Sequence, residues 1–425
     1  MQSSCGQQPN FSVYGTMPPK GVSKGEKNMA MNRNELLSVL NKGEGILSLA
    51  PTWVPRPFNR PGKRLRLHPD DTYAFGMKRG AIVERWFSSI TRVETPGGGP
   101  HEGLSHVNVD GNPDHTVLFT NFVDELGADL FGQELMDKYG TWPMYAKLYD
   151  YNEPLFHHVH HGEAACARVG VTPKHEHYFF PKQYNNHLGL RPTTFFGFDP
   201  SVTKEEVKAR LAMHEVRDSK ILELSRAFAI QLGTGWFTPA GVVHAPGSLC
   251  TYEPQWNSDV MALWENVVGS GEYFDYPWLC GYLPPGKERD LDAILDVADW
   301  DLNMLPNYRE KFFRPPVANE KGDGYVQDWI CYGNNFVGAK ELTVEPGASV
   351  TIKDKAAYGC LVVQGRGMFG NFICESPTLI RYGALTADEF YVCNKKAKEG
   401  VVVKNTSPVE PLVILKHFGP DCGMP

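Results

Sequence analysis

Short runs of β-branched and aromatic residues, each closed by glycine, proline, asparagine or aspartate, recur along this 425-residue chain and constrain its fold more than any other feature. "AIVERWFSSITRVET", "HYFFPKQY", "TTFFGF" and "GWFTPAGVVHA" have this form, as do "LTVEPGASVTIKD", "GCLVVQGRGMFGNF", "EGVVVKNTS" and "PLVILKHF" nearer the C-terminus. Such runs send alternate side chains to the two faces of a sheet, and the bounding residues supply turns. The expected class is mainly β. Helical pieces interrupt it. Thr203 and Glu206 form a capping box ahead of "KARLAMHEV", because each satisfies a free N–H at the helix start. Leu291, Ile294, Leu295 and Ala298 fall at i, i+3, i+4 and i+7, one buried helical face. A short helix is also expected from Asn34 to Leu40, ended by Gly43.

The organisation expected from these patterns has four parts. Residues 1–30, rich in Gly, Ser, Pro and Lys without periodicity, form a disordered tail. Residues 31–300 make a large β domain with helical insertions, 301–324 a linker containing the Pro-rich "EKFFRPPVANEKGDG", and 325–425 a smaller β domain. Two or three domains of about 150 residues suit this length.

Charge and composition remove several classes of function. The formal net charge is -7 and no Lys/Arg-rich run occurs, so nucleic acid is not an expected partner. The N-terminus lacks the apolar core of a signal peptide, and no uninterrupted apolar stretch could span a bilayer, which predicts a cytoplasmic protein with no membrane partner. Nine scattered cysteines without a Cys-x-x-Cys pair indicate neither a disulfide framework nor a thiolate zinc site.

Four of the 14 histidines crowd into "LFHHVHH" at residues 155–161. A strand there puts His158 and His160 on one face, where two imidazoles can share a metal ion, and His157 and His161 on the other. Hydrogen-bonded core histidines also produce this pattern, so more ligands are needed to decide. "GTGWFTPAGVVHAPGS" supplies one. Gly233, Pro239, Gly241 and His244 have the spacing G-x5-P-x-G-x2-H, in which Pro and Gly build a tight turn and the next strand carries His244 inward.

That spacing resembles the second motif of the cupin family, whose small β-barrels hold a metal with interior side chains, although Ser248 stands where the pattern has Asn. More closely, the chain resembles the type I mannose-6-phosphate isomerases, double cupins in which a Gln-x-His pair is followed by Lys-x-Glu. Here His158 takes the Gln position, His160 the His, Lys174 the Lys and Glu176 the Glu. The general cupin spacing would instead use Glu163, which precedes Gly170 by seven positions, and both carboxylates stay in view, with Glu176 favoured. The resemblance continues through "PAGVVHAPGSLCTYEPQWNSD", which places Glu253, Ser258 and Asp259 on matching positions. It extends more loosely over "ERWFSSITRVET" and "GLSHVNVDG", covering most of residues 55–420.

The implied fold is a bicupin of two jelly-roll barrels with helical insertions. Its C-terminal barrel is metal-free, since the positions equivalent to the His pair fall near Tyr358 and Cys360 and no His follows "YGALTADEF". "RLHPDDTYA" is expected as a surface turn, and His101, His106 and His115 in a solvated loop. The implied metal ligands are His158, His160, Glu176 and His244. They suit one divalent ion, zinc foremost, with iron, manganese and nickel also compatible. The implied reaction is aldose–ketose isomerisation at the adjacent C1 and C2 oxygens of a sugar. Glu253 would move the proton and Lys174 would polarise or hold an oxygen, while Asn185, Asn186 and Gln255 are candidate hydroxyl contacts.

One departure bears on the substrate. After Ser258 and Asp259 the chain reads "VMALWENVV", where the isomerases carry an Arg-containing segment near the sugar, and Glu265 is the only charge there. Phosphate is held by Arg, Lys or helix N-termini. The expected partner is therefore a small-molecule sugar, unphosphorylated in preference to a sugar phosphate, with Arg168, Lys182 and Arg191 the cations that could compensate. Two other functions fit the same ligand set: an iron-dependent cupin dioxygenase and a non-catalytic sugar-binding cupin.

Overall fold

In a computed structural model the described residues are 31–95, 97–185, 192–269, 271 and 273–425. The tail at 1–30, Asn186 and Arg191 lie outside them. Two pairs of antiparallel sheets build the molecule. The first pair is a seven-stranded sheet, ordered Phe313–Arg314, Gly235–Thr238, Glu176–Phe179, Thr251–Trp256, Met144–Tyr149, Ala81–Phe87 and Thr52–Arg56, and a five-stranded sheet. The latter is ordered Ser225–Ala229, Thr193–Phe198, Val243–Ala245, His158–Val159 and Ala262–Leu263. Tyr178 and Trp236 of one sheet pack with Phe196 of the other, which closes this barrel around an aromatic core.

The second pair is a nine-stranded and a four-stranded sheet. In Val401–Asn405 and Ser349–Ile352 buried and exposed residues alternate strictly, as expected where one face is solvated. Leu342, Val362, Ile414 and Phe418 fill the interior with Val401 and Val403 from the facing sheet. Three strands of the nine come from the N-terminal part of the chain: Ile46–Ala50, His106–Asn108 and Thr116–Leu118. Ile46–Ala50 pairs with Glu389–Val392, so the two barrels share a sheet and not merely a surface.

Ala81–Phe87 and Met144–Tyr149 are buried along their whole length. One face lines the first barrel and the other packs against the second, where Phe87, Ala146 and Leu148 meet Ile330, Leu361 and Leu415. Arg85 crosses this interface and donates to both carboxylate oxygens of Asp388, each at 2.8 Å, and to Glu389 at 3.2 Å.

The Thr203–Glu206 capping box opens Lys204–Leu211 as expected, and the helix expected from Asn34 runs over Arg33–Lys42, where a capping box of Asn32 with Glu35, not read from the sequence, opens it. Other stretches differ from expectation. Helices Phe119–Phe131 and Gln133–Tyr139 bury Phe119, Phe122, Val123, Leu126 and Leu130, a helical spacing within residues the β pattern had absorbed. The helix at Leu291 ends at Leu295, before Ala298. Residues 301–324 are structured: they carry helix Tyr308–Phe312, strand Phe313–Arg314 of the first barrel and strand Val317–Gly322 of the second. His106 lies on a paired strand and only His115 is exposed in the turn beyond it. Among the described residues, no helix is long and apolar enough to cross a membrane.

Candidate metal centre

The ligand strands are short and depend on pairing for their aim. His158–Val159 has two residues, held between Val243–Ala245 on one side and Ala262–Leu263 on the other. His158 and His244 are direct cross-strand partners, so their side chains leave the sheet on the same face. The turn before His244 is clamped to the histidine segment. Gly241, at φ +90°, donates its N–H to the His160 carbonyl at 2.6 Å, and a Cβ there would meet Asp299 at 2.8 Å. Only glycine fits both the backbone and the space.

His158, His160 and His244 are buried, and their ligand nitrogens lie within 4.8 Å of one another. Each ring is fixed from behind by a backbone carbonyl at Nδ1: Phe156 O at 2.9 Å, Val260 O at 2.7 Å and Val242 O at 2.8 Å. An Nδ1 that donates to a carbonyl leaves Nε2 as a lone pair, which is the tautomer a metal needs. Nε2 of His160 and of His244 are buried without a hydrogen-bond partner among the described residues. Burial also holds His158 well below the ordinary imidazole range and His160 at about 4, so both rings are neutral at pH 7.

From the facing sheet Glu176 enters the same space. Its Oε1 lies 2.9 Å from His160 Nε2 and its Oε2 3.3 Å from His244 Nε2. Donors about 2.1 Å from a shared tetrahedral ion stand roughly 3.4 Å apart, which the His244 spacing matches, whereas the His160 spacing is hydrogen-bond length. Burial opposes ionisation of Glu176, but His160 and Lys174 beside it outweigh burial and hold it well below the usual carboxylate range. A buried three-imidazole donor set, with a carboxylate beside two of its rings, fits a divalent ion of the zinc class. Glu163, by contrast, is 72% exposed on helix Glu163–Val169, and its recorded ionic contact is His175 at 3.7 Å.

Next to this cluster is a second one that sequence reasoning found only in part. Lys174 Nζ stands 3.2 Å from Glu176 and 3.7 Å from Asp259. Glu253 and Lys147 are cross-strand partners whose charged ends meet at 3.2 Å. Gln255 is the partner of Glu176; with its amide nitrogen toward the carboxylates it donates to Glu253 at 2.6 Å and to Glu176 at 3.3 Å, and its oxygen accepts from Tyr145. Burial, and then the negative charge of Glu176, push Glu253 well above the usual carboxylate range, with Lys147 and Lys174 pulling the other way. Lys147 was missed. The signal was there: Tyr145, Lys147 and Tyr149 alternate onto one face of a strand that is otherwise apolar.

Other polar residues are spoken for. Glu84 holds Arg56 through two bonds of 2.9 and 3.1 Å and accepts from Tyr151 and Trp86, each at 2.7 Å. His157 donates its backbone N–H to Glu265 and faces the same carboxylate with Nδ1, while His161 Nε2 meets Gly281 O at 3.0 Å. Asn185 donates to Pro181 O and Cys250 O and accepts from Cys250 N–H, which makes it a loop tie. Arg168 donates to Asp296 O, and Lys182 is exposed.

Two facing antiparallel sheets form each of two cupin-like barrels, and among the described residues only the first has inward histidines. No family model and no curated protein matches the sequence. Solved structures do match the fold. The mannose 6-phosphate isomerase from Bacillus subtilis superposes with a TM-score of 0.57 at 14% identity, covering 88% of this chain and 99% of that one. The Salmonella typhimurium enzyme, bound to fructose 6-phosphate and zinc, gives 0.56 at 11% identity over 88% of this chain and all (100%) of that one. The chain therefore has the cupin fold found in mannose-6-phosphate isomerases.

Proposed function

We propose that this chain is a metal-dependent aldose–ketose isomerase. The observation that carries the reading is the pairing of two clusters in one barrel: a His158, His160, His244 and Glu176 donor set, and beside it the ionisable trio Lys147, Glu253 and Lys174. A divalent ion, zinc foremost, would supply Lewis acidity to the adjacent C1 and C2 oxygens of a sugar. Glu253 then takes the proton from C2 and returns it to C1, while the hydroxyl proton of O2 passes to O1, so aldose becomes ketose with no atom gained or lost. Lys147 holds Glu253 in place, Gln255 fixes both carboxylates, and Lys174 faces the sugar oxygens. These ionisable groups speak against an iron dioxygenase, whose oxygen site is normally bounded by apolar residues. Assaying turnover without oxygen separates the two: activity lost on removing oxygen would favour the oxygenase.

The substrate proposed is an unphosphorylated sugar. A phosphate carries about two charges at neutral pH and needs cationic partners when desolvated. The cations at the site are already engaged: Arg56 by Glu84, Lys147 by Glu253, and Lys174 by Glu176 and Asp259. Glu265 is held by His157. Comparing kcat/KM for mannose and mannose 6-phosphate tests this, and a preference for the phosphorylated sugar refutes it.

A further inference from the structure

The second barrel has no inward histidine pair, yet its interior is not purely apolar. Lys340 and Lys416 are cross-strand partners, and Cys360 pairs with Lys416 on the far side, so the two lysines project into the barrel beside each other. Both are buried. Like charges directly opposite across strands repel. Asp354 lies between them, with Oδ1 2.8 Å from Lys340 Nζ and Oδ2 2.8 Å from Lys416 Nζ. Lys416 also donates to Gln327 Oε1 at 2.8 Å.

Two ammonium groups against one carboxylate leave a positive charge without a counter-charge, and the donors outnumber the acceptors. Lys340 has one recorded acceptor and otherwise faces the rings of Trp329, at 4.5 Å, and Phe418, at 5.4 Å. The amide nitrogen of Gln327 and the hydroxyl of Tyr358, whose ring lies 4.9 Å from Lys416 Nζ, are buried with no partner among the described residues. A cavity of about 190 Å³ reaches Lys340 and Asp354 of this cluster, with Lys416, Gln327 and Tyr358 outside its lining. Trp329, Lys340 and Asp354 form its inner wall, and Lys353, Lys355 and Glu320 stand at its mouth. Glu320 accepts from Tyr325, and the exposed Lys353 and Lys355 add positive charge where a ligand would enter. Counting the mouth, four ammonium groups stand against two carboxylates. Burial lowers the Lys416 ammonium's pKa, the direction that an anion beside it would reverse.

We infer that the C-terminal barrel is a second ligand site, which binds the phosphate or carboxylate group of a small metabolite through Lys340, with Lys353 and Lys355 at the mouth and the buried Lys416 adding its charge from behind Asp354. An anion there completes a buried charge balance that the protein leaves one negative charge short, and charge-assisted hydrogen bonds to ammonium groups are the strong kind. The inference does not depend on the activity of the first barrel.

Isothermal titration of the metal-loaded full chain with inorganic phosphate, and separately with acetate, tests it. Binding of phosphate but not acetate assigns a phosphorylated ligand, and the reverse assigns a carboxylate. Lys340→Met should weaken the binding by about tenfold or more, the worth of one charge-assisted bond. Lys355→Glu reverses an exposed charge at the mouth and should weaken it while leaving the fold intact, so it decides the matter if Lys340→Met does not fold. His244→Ala, which disables the first barrel's site, should leave the binding unchanged. The inference is overturned if neither anion binds below about 10 mM, if affinity is unaltered in every folded variant of the two lysines, or if His244→Ala abolishes it.

Discussion

Lys147 and Glu253 explain each other. Glu253 keeps the buried Lys147 ammonium charged from 3.2 Å away, while Lys147 pulls Glu253 toward ionisation without overcoming burial and the charge of Glu176. If Glu253 moves the proton, Glu253→Gln should keep the metal and lose activity by a factor on the order of 10² to 10⁴. Unchanged turnover would remove it from the reaction. The ligand assignment is tested separately by elemental analysis. His160→Ala and His244→Ala should lose most of the metal, and Glu163→Ala should keep it. Metal lost from Glu163→Ala but retained by Glu176→Ala would transfer the carboxylate role to Glu163. The histidines were legible because His-x-His and P-x-G-x2-H are local patterns with a local cause, a strand's two-residue period and a tight turn. Lys147 has only its alternation with Tyr145 and Tyr149, which puts it on one strand face and names no chemistry. Its meaning comes from Glu253, 106 positions away, and only the register of two strands brings them together.

At the scale of elements, the aim of His244 depends on a residue from a stretch that reads as a linker. Asn303 is fully buried in helix Trp300–Asn303. Its amide nitrogen donates to Gly241 O and Asp299 O, each at 2.7 Å, and its oxygen accepts the Val243 N–H at 2.8 Å. Asn303 therefore holds both ends of the turn that leads into His244. Removing it in Asn303→Ala strands the buried Val243 N–H, at about 1–3 kcal/mol, and takes one of two donors from each of the Gly241 and Asp299 carbonyls. The expected loss is on the order of 2–4 kcal/mol, read as a shift in the denaturant midpoint, together with weaker metal binding. A variant as stable and as metal-replete as wild type would show that the turn stands without its clamp. The β-barrel class was visible in the repeated short runs, and the Thr203–Glu206 capping box marked one helix start. Helix Phe119–Phe131 carries a helical spacing that its aromatic, β-like composition masked, and the elements within 301–324 were not visible, because a proline-rich stretch owes its conformation to the surfaces it covers.

Across the whole molecule the two barrels meet at a charged contact, and that contact sets a pH dependence. Arg85 gives its two terminal nitrogens to Asp388, which leaves Glu389 the weaker share of the same guanidinium. Burial pushes Glu389 up to about 8; Arg85 and the Ser88 backbone N–H pull it down, while Asp388 pushes it further up. A carboxyl in the unfolded chain titrates near 4.3. Between those values the folded protein holds a proton that the unfolded chain has released, so folding is favoured less as pH rises. The contribution is complete below about pH 4.3 and is lost as pH climbs through about 8, with a limiting slope of about 1.4 kcal/mol per pH unit. Glu389→Gln replaces the proton-bearing acid with a permanently neutral amide and removes this slope. The shared sheet and the mixed core at the interface mean that both barrels should unfold in one transition, so a single denaturant midpoint reports the effect. Midpoints for wild type and Glu389→Gln, measured from pH 5 to 9, should converge or cross, the variant gaining on wild type as pH rises. Two curves that run parallel across that range would show that Glu389 does not titrate between the folded and unfolded states.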